Sequence, residues 1–307
     1  MLTALLLSSV LTFVQLNCEN LFDTRHDSLK QDNEFLPEGV RHWSNTRYWN
    51  KVNHVGQTLL SCSKELPSLV ALCEVENDSV LIDLTRRSLL RRAGYEYLMT
   101  RSADRRGIDV ALLYQPYDFT PLCYECIEVP LLQGMRPTRD ILYVKGLIRT
   151  GDTLHVFVVH APSRYGGEQR TRPFRMQVVR TLRQFLEAEH LTGNILVAGD
   201  FNDYASSRSL KELEHGGLVN IGKHVKGRNG VGGTYRHRGD WHSLDHVLLS
   251  PDLVSRVDTV YINDASFLLI DEPVYGGSRP RRTFNGMRYE KGGFSDHLPL
   301  VVRLRWE

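Results

Sequence analysis

Six apolar runs in this chain of 307 residues stop or start at side chains able to bind a cation or move a proton. Leu16 leads into Asn17, Cys18 and Glu19, Leu72 into Cys73 and Glu74, and Val159 into His160. Ala198 leads into Gly199, Asp200, Phe201 and Asn202, and Leu244 into Asp245 and His246, while Ser295, Asp296 and His297 precede Leu298 and Pro299. One such event needs only a turn or a helix cap, because Asp and Asn bond readily to nearby backbone. Six together call for another cause. Charged groups beside buried strands are costly unless paired or bound to metal, so convergence on one site is the economical explanation. The chemistry open to carboxylates, amides and imidazoles in one cleft is acid–base and metal-assisted.

The elements that must hold these groups follow from periodicity. Residues 11–16 read as a first core strand leading into Asn17. Trp49, Val52, Val55, Leu59 and Leu60 recur at helical spacing, and 68–73 is a short apolar run of buried-strand type. Asn77 or Asp78 can cap a second helix reaching about residue 92. Strands are expected at 95–100, 108–114, 122–129, 141–149 and 154–160, with Gly151 and Asp152 in a hairpin turn. A long helix is expected over 168–189, with Phe174, Val178, Leu182, Phe185 and Leu186 on one face. Further strands are read at 195–198, 234–237, 244–249 and 257–262, and period-two alternation of Leu298, Leu300, Val302 and Leu304 closes the chain. Residues 263–294 form an irregular Gly-, Pro- and Arg-rich segment, and loops of that length inside a compact domain are often functional. Many strands with few helices suggest two mixed sheets packed face to face with helices outside.

Bulk properties exclude little. Lys and Arg total 38 against 36 acidic residues, so a net charge of +2 makes no global case for nucleic acid. Without a repeat, linker or composition break, residues 1–307 are expected to form one domain, a monomer with no protein partner. The five cysteines are an odd number in a long chain and fit reduced thiols. Cys123 and Cys126 form a CxxC, but zinc needs a second ligand pair and redox catalysis a helix start, so they read as strand residues. Residues 2–14 are rich in Leu and Val, yet lack the charged n-region and cleavage site of a signal peptide. They are also too short to span a bilayer, which takes about 20 apolar residues. A cytoplasmic protein is expected, without a transmembrane segment; the alternative is export through a short leader within residues 1–10.

The ordered set 15–23, 73–77, 106–114, 160–164, 199–203, 244–246 and 295–299 resembles the endonuclease/exonuclease/phosphatase superfamily across nearly the whole chain. The resemblance implies a four-layered α/β sandwich, deoxyribonuclease-like, and metal-dependent hydrolysis of a phosphoester. It further implies Mg²⁺, with Mn²⁺ as an alternative, held by Glu74 with Glu19 and Asp296 contributing directly or through water. Asp200 would accept a proton from the attacking water, oriented with Asn202 and Asn17. His297, oriented and kept protonated by Asp245, would donate to a non-bridging phosphate oxygen. His160 would contact phosphate or protonate the leaving group, with Asp109 bonded to its other ring nitrogen. Arg164 and Arg282 are the candidates for gripping phosphate. Glu19 could instead be a helix-start charge, Asp109 a turn cap, and the arginines a solvated face. A nuclease or general phosphodiesterase is expected, on nucleic acid or another phosphoester. The alternatives are a phosphomonoesterase, a lipid phosphodiesterase, and a non-catalytic binding module on the same fold.

Overall fold

The computed structural model describes residues 9–306, so most of the stretch 1–10 that could alternatively be a leader lies outside the described residues. The first described element is β1 (Ser9–Leu21), followed by α1 (Asn45–Leu60) and β2 (Leu69–Val75). After α2 (Asp78–Ile82) come β3 (Glu96–Met99) and β4 (Asp109–Tyr114). The second half opens with β5 (Phe119–Ile127), β6 (Ile141–Ile148) and β7 (Thr153–His160), and α3 (Glu168–Ala188) leads to β8 (Asn194–Asp200). Next are α4 (Arg208–His215), β9 (Val219–Asn220), the hairpin of β10 (Tyr235–His237) with β11 (Asp240–His242), and β12 (Asp245–Leu249). The chain finishes through α5 (Pro251–Val254), β13 (Val257–Ile262), two small hairpins and β18 (Leu300–Trp306). Those hairpins pair β14 (Leu269–Asp271) with β15 (Ser278–Pro280), and β16 (Phe284–Asn285) with β17 (Arg288–Tyr289). They occupy the stretch that reads as irregular in the sequence.

Two six-stranded mixed sheets result, ordered β13-β18-β1-β2-β4-β3 and β5-β6-β7-β8-β12-β9. Each contains a single parallel pair, β1 with β2 and β7 with β8, and each pair is joined through a helix as parallel strands require. All other pairings are antiparallel. Side-chain alternation sorts the core into layers. Phe13, Leu69, Ala71, Val156, Val158, Leu196 and Ala198 fill the space between the sheets. Val14, Leu16, Val70 and Leu72 face α1, through Val52, Val55 and Leu59. Phe157, Val159 and Val197 face α3, through Val178, Val179 and Leu182. The four-layered α/β sandwich is thus the fold of the chain.

Two local expectations need correction. The second helix does not reach residue 92: α2 passes into one π-helical turn over Asp83–Arg87 and stops at Ser88 in extended backbone. Ser88 accepts from the Leu90 amide at 3.0 Å, and Gly56 of α1 packs so closely that an added Cβ would lie 3.3 Å from the Ser88 hydroxyl. Packing against α1 therefore overrides the helix-forming Leu and Arg residues that follow. Leu60, placed on the apolar face of α1 by spacing, is exposed in its last turn.

Candidate active site

Because β1, β2, β7 and β8 run the same way, their C-terminal ends share one edge of the sandwich, where the antiparallel β4, β12 and β18 begin. That edge receives Asn17, Glu74, His160, Asp200, Asp245 and His297. The Asn17 amide nitrogen donates to Asp200 Oδ2 at 3.0 Å and lies 3.4 Å from Glu74 Oε1. Its oxygen accepts the Glu19 amide at 2.8 Å. Asp200 Oδ1 accepts the Asn202 amide at 2.8 Å, while the Asn202 side chain donates to the Ala161 carbonyl at 3.0 Å. Glu19, Glu74 and Asn202 all hold left-handed backbone, with φ of 51°, 62° and 50°. Such strain persists only where surroundings over-determine it, and it gathers at functional sites. Gly199 has its own constraint: a Cβ there would lie 1.8 Å from the Val159 carbonyl, so only glycine lets β8 run beside β7 just before Asp200.

His297 is fixed from two sides. Its Nδ1 lies 2.7 Å from Asp245 Oδ2, a fully buried carboxylate that also accepts from the Thr234 hydroxyl at 2.6 Å. Ser295 donates to the Asn17 carbonyl at 2.7 Å and accepts the His297 amide at 3.1 Å, tying this stretch to the end of β1. The free Nε2 points into the cleft, 3.9 Å from Asp200 Oδ2 and 4.0 Å from Asp296 Oδ1. Burial opposes the imidazolium, but the charge and hydrogen bond of Asp245, with Asp296 and Asp200, outweigh it and hold His297 protonated well above the usual histidine range. Burial works in the other sense on Asp200, pushing it up to about 7, with Asp245 adding to the rise and His297 restraining it. An acid and a base thus face each other across the cleft.

His160 Nε2 lies 3.7 Å from Asp200 Oδ2 and 3.9 Å from Glu74 Oε1, so this imidazole belongs to the cluster. Its expected pairing with Asp109 is not made. Asp109 Oδ1 accepts from the Thr100 hydroxyl and the Ser102 amide at 2.6 and 3.0 Å, whereas His160 Nδ1 has no hydrogen-bond partner among the described residues. Asp109 therefore organises the loop after β3. Burial, then Arg139, Arg106 and His297, drive the His160 pKa well below the ordinary value. A neutral imidazole suits phosphate contact better than leaving-group protonation.

Glu19 is the second correction. Both its oxygens turn toward the late segment, accepting the Thr283 and Phe284 amides at 2.5 and 3.1 Å, with Lys51 Nζ 3.9 Å away. Its carboxylate is committed to backbone, not free for a cation. Asp296 remains partly open, its side chain 26% exposed. Arg164 stacks on the Tyr204 ring at 4.3 Å, and Arg282 lines a neighbouring cavity. Neither pairs with a site carboxylate among the described residues.

Sequence reasoning missed Lys51, Arg106, Thr234 and Tyr235. Lys51 looks like an ordinary helix lysine, yet it is 1% exposed and donates to the Thr283 hydroxyl at 2.6 Å. Arg106 reaches 4.0 Å from Glu74, and the Tyr235 ring lies 5.0 Å from the His297 ring. The one usable signal was Arg106, which opens the run ending at Tyr114.

Among the described residues no group of three or more His, Cys, Asp or Glu side chains is gathered closely enough to enclose an ion alone. Mg²⁺ does not need such an enclosure, since it keeps several waters and takes one or two carboxylates together with substrate oxygens. The donors at hand, the Glu74 and Asp296 carboxylates, are oxygen ligands. That donor chemistry fits a hard divalent cation.

The shared strand edge thus gathers carboxylates, amides and two imidazoles, the side chains that hydrolysis of a phosphoester would use. The family comparison agrees, since the model of the endonuclease/exonuclease/phosphatase family matches residues 12–306. The chain belongs to that family. Among curated proteins none matches it. Of solved structures, a family member from Bacteroides thetaiotaomicron is similar with a TM-score of 0.66 at 14% identity, covering 98% of this chain and 99% of the other. A mannosyl-6-phosphatase of the same organism gives 0.60 at 14% identity, covering 95% and 98%. D. rerio TDP2 complexed with single-strand DNA product gives 0.56 at 16%, covering 96% and 98%. At these identities the likeness concerns the fold.

Proposed function

We propose that the chain is a Mg²⁺-dependent phosphodiesterase of the nuclease or general type. The observation that carries this reading is the facing arrangement of Asp200 and His297 Nε2, with Asn17 joining Asp200 to Glu74. Asp200 Oδ2, held by Asn17 and steered by Asn202, takes a proton from the water that attacks phosphorus as the bond from phosphorus to the leaving oxygen breaks, and the departing alkoxide takes its proton from solvent. His297 donates its Nε2 proton to a non-bridging oxygen as charge grows there, and Asp245 keeps the ring oriented and charged. His160, neutral and beside both carboxylates, contributes a phosphate contact. Glu74 and Asp296 would hold Mg²⁺ or Mn²⁺, which supplies charge neutralisation at the phosphate. Support comes from the family, whose structural neighbours include both a sugar phosphatase and a DNA-bound protein.

The test is a Mg²⁺ activity panel with bis-p-nitrophenyl phosphate, p-nitrophenyl phosphate, plasmid DNA and RNA, repeated in EDTA and with Asp200→Asn. Diester turnover is expected, abolished by EDTA and reduced about 10³-fold in the variant, within the range for loss of a general base. Turnover that survives Asp200→Asn unchanged would remove the assigned base. Hydrolysis of the monoester alone would replace the diesterase reading.

A further inference from the structure

Beside the catalytic edge lies a cavity of about 180 Å³, walled by the β10–β11 hairpin and the two late hairpins. Its lining includes Arg236, Arg238, Arg279 and Arg282 but a single carboxylate, Glu272. The four guanidiniums are not equivalent. Arg279 is neutralised, 3.3 Å from Glu272 and 2.7 Å from Glu290. Arg236 is buried yet meets no carboxylate among the described residues; it donates to the carbonyls of Gly239, Gly276 and Ser278 at 2.9, 2.7 and 2.5 Å. Those bonds fix its position without cancelling its charge. Arg238 is exposed and forms no ion pair, and Arg282 carries a buried Nε with no hydrogen-bond partner, both judged among the described residues. With Glu272 and Glu290 both on Arg279, four guanidiniums face two carboxylates, which leaves an excess charge of +2 around one hollow for an anion to join. An ordinary solvated arginine face has neither a buried, carbonyl-anchored guanidinium nor an orphaned buried N–H.

The hollow adjoins the active site. Tyr235 lines it and also packs against the His297 ring, while Thr283 and Phe284, directly after Arg282, hold Glu19. We propose that this cavity receives a second phosphate of the substrate, adjacent to the phosphate being hydrolysed on the His297 side. The inference rests on the phosphoesterase reading for its bearer but not for the anion site itself. The guanidinium forks of Arg238 and Arg282 match phosphate oxygens, and with the charge of Arg236 behind them they favour a dianionic terminal phosphate over a diester monoanion. The bearer is therefore a phosphodiester carrying a second, terminal phosphate, as in a 5′-phosphorylated oligonucleotide.

Two measurements separate the site from the activity. Calorimetric titration of the full chain in EDTA with inorganic phosphate reads anion binding without turnover, and the arginine variants separate this cavity from the His297 imidazolium in the cleft. One phosphate per chain is expected, weakened about tenfold by Arg238→Gln and by Arg282→Gln and unaffected by Asp200→Asn. Arg238 is exposed, so its variant tests the site even if Arg282→Gln fails to fold. With Mg²⁺, kcat/KM is then compared for pTpT against TpT. The 5′-phosphorylated member should be favoured about tenfold or more, and equal kcat/KM for the two would overturn the role of the cavity in substrate binding. Absence of phosphate binding, binding unchanged in both arginine variants, or binding lost only in Asp200→Asn would overturn the site. Phosphate binding without any turnover would leave the site standing and remove the phosphoesterase reading instead.

Discussion

The buried contact between Asp245 and His297 sets which proton is available in the cleft. Asp245 has no solvent to turn to, and its pKa falls despite burial because His297 bonds to it and carries the opposite charge. Replacing it by Asn keeps the shape and removes the charge. His297 then loses the interaction that raises its pKa, and burial takes over. We expect Asp245→Asn to lower kcat about 10²–10³-fold and to move the high-pH limb of the rate profile to lower pH, since the protonated imidazole is lost sooner. A limb that stays in place would show that His297 is not the acid. The pair could be suspected from sequence because both residues stand at strand ends. The Asp109–His160 contact, implied by the resemblance with a turn cap as its alternative, is absent, because Asp109 is taken by the Thr100 hydroxyl and the Ser102 amide. Asp200 and Asn202 were legible because a plain turn does not ask for an amide two residues after a carboxylate.

At the scale of elements, the late hairpins hang on a few polar anchors. Glu19, on β1, accepts two amides 264 and 265 residues away, and Lys51 on α1 bonds to the Thr283 side chain. Burial, with the Asp296 charge adding, pushes Glu19 up to about 7, while burial pulls Lys51 down. The pair therefore acts through hydrogen bonds more than through full opposite charges. Glu19→Ala should raise amide hydrogen exchange at Thr283 and Phe284 about tenfold or more while leaving β18 protected, and Glu19→Gln should retain much of the protection. Equal exchange in all three proteins would mean the segment is held by other contacts. Long helices and central strands were readable here, since α1 and α3 repeat apolar residues over several turns. The β16–β17 hairpin was not, because two-residue strands carry no period and this one is held by a carboxylate from the other end of the chain. The second helix was overextended for a related reason: residues 88–92 favour a helix locally, and only contact with α1 stops it.

For the whole molecule, the cysteines report how completely the layers close. Cys18, Cys62 and Cys73 are buried, and Cys123 and Cys126 are exposed on β5. Burial pushes the Cys18 and Cys62 thiols up to about 12, so few thiolates exist to react. Alkylation followed by mass spectrometry should give two adducts on the native chain and five after denaturation, matching the exposed and total thiols. Rapid modification of a third thiol under native conditions would mean that a layer opens locally. The sandwich itself was foreseeable from many strands and few helices. Strand order was not, since nothing in 9–21 announces that its neighbours will be 69–75 and 300–306.

That last neighbourhood governs how the molecule can fail. β1 lies between β2 and β18, so Asn17 and His297 are brought together by the pairing of strands from opposite ends of the described chain. Peeling β18 away displaces His297, the proposed proton donor, and loosens the stretch through which Ser295 grips the Asn17 carbonyl. On the proposed mechanism a partly melted molecule is inert rather than slow or unselective, and residual turnover in denaturant would count intact sandwiches.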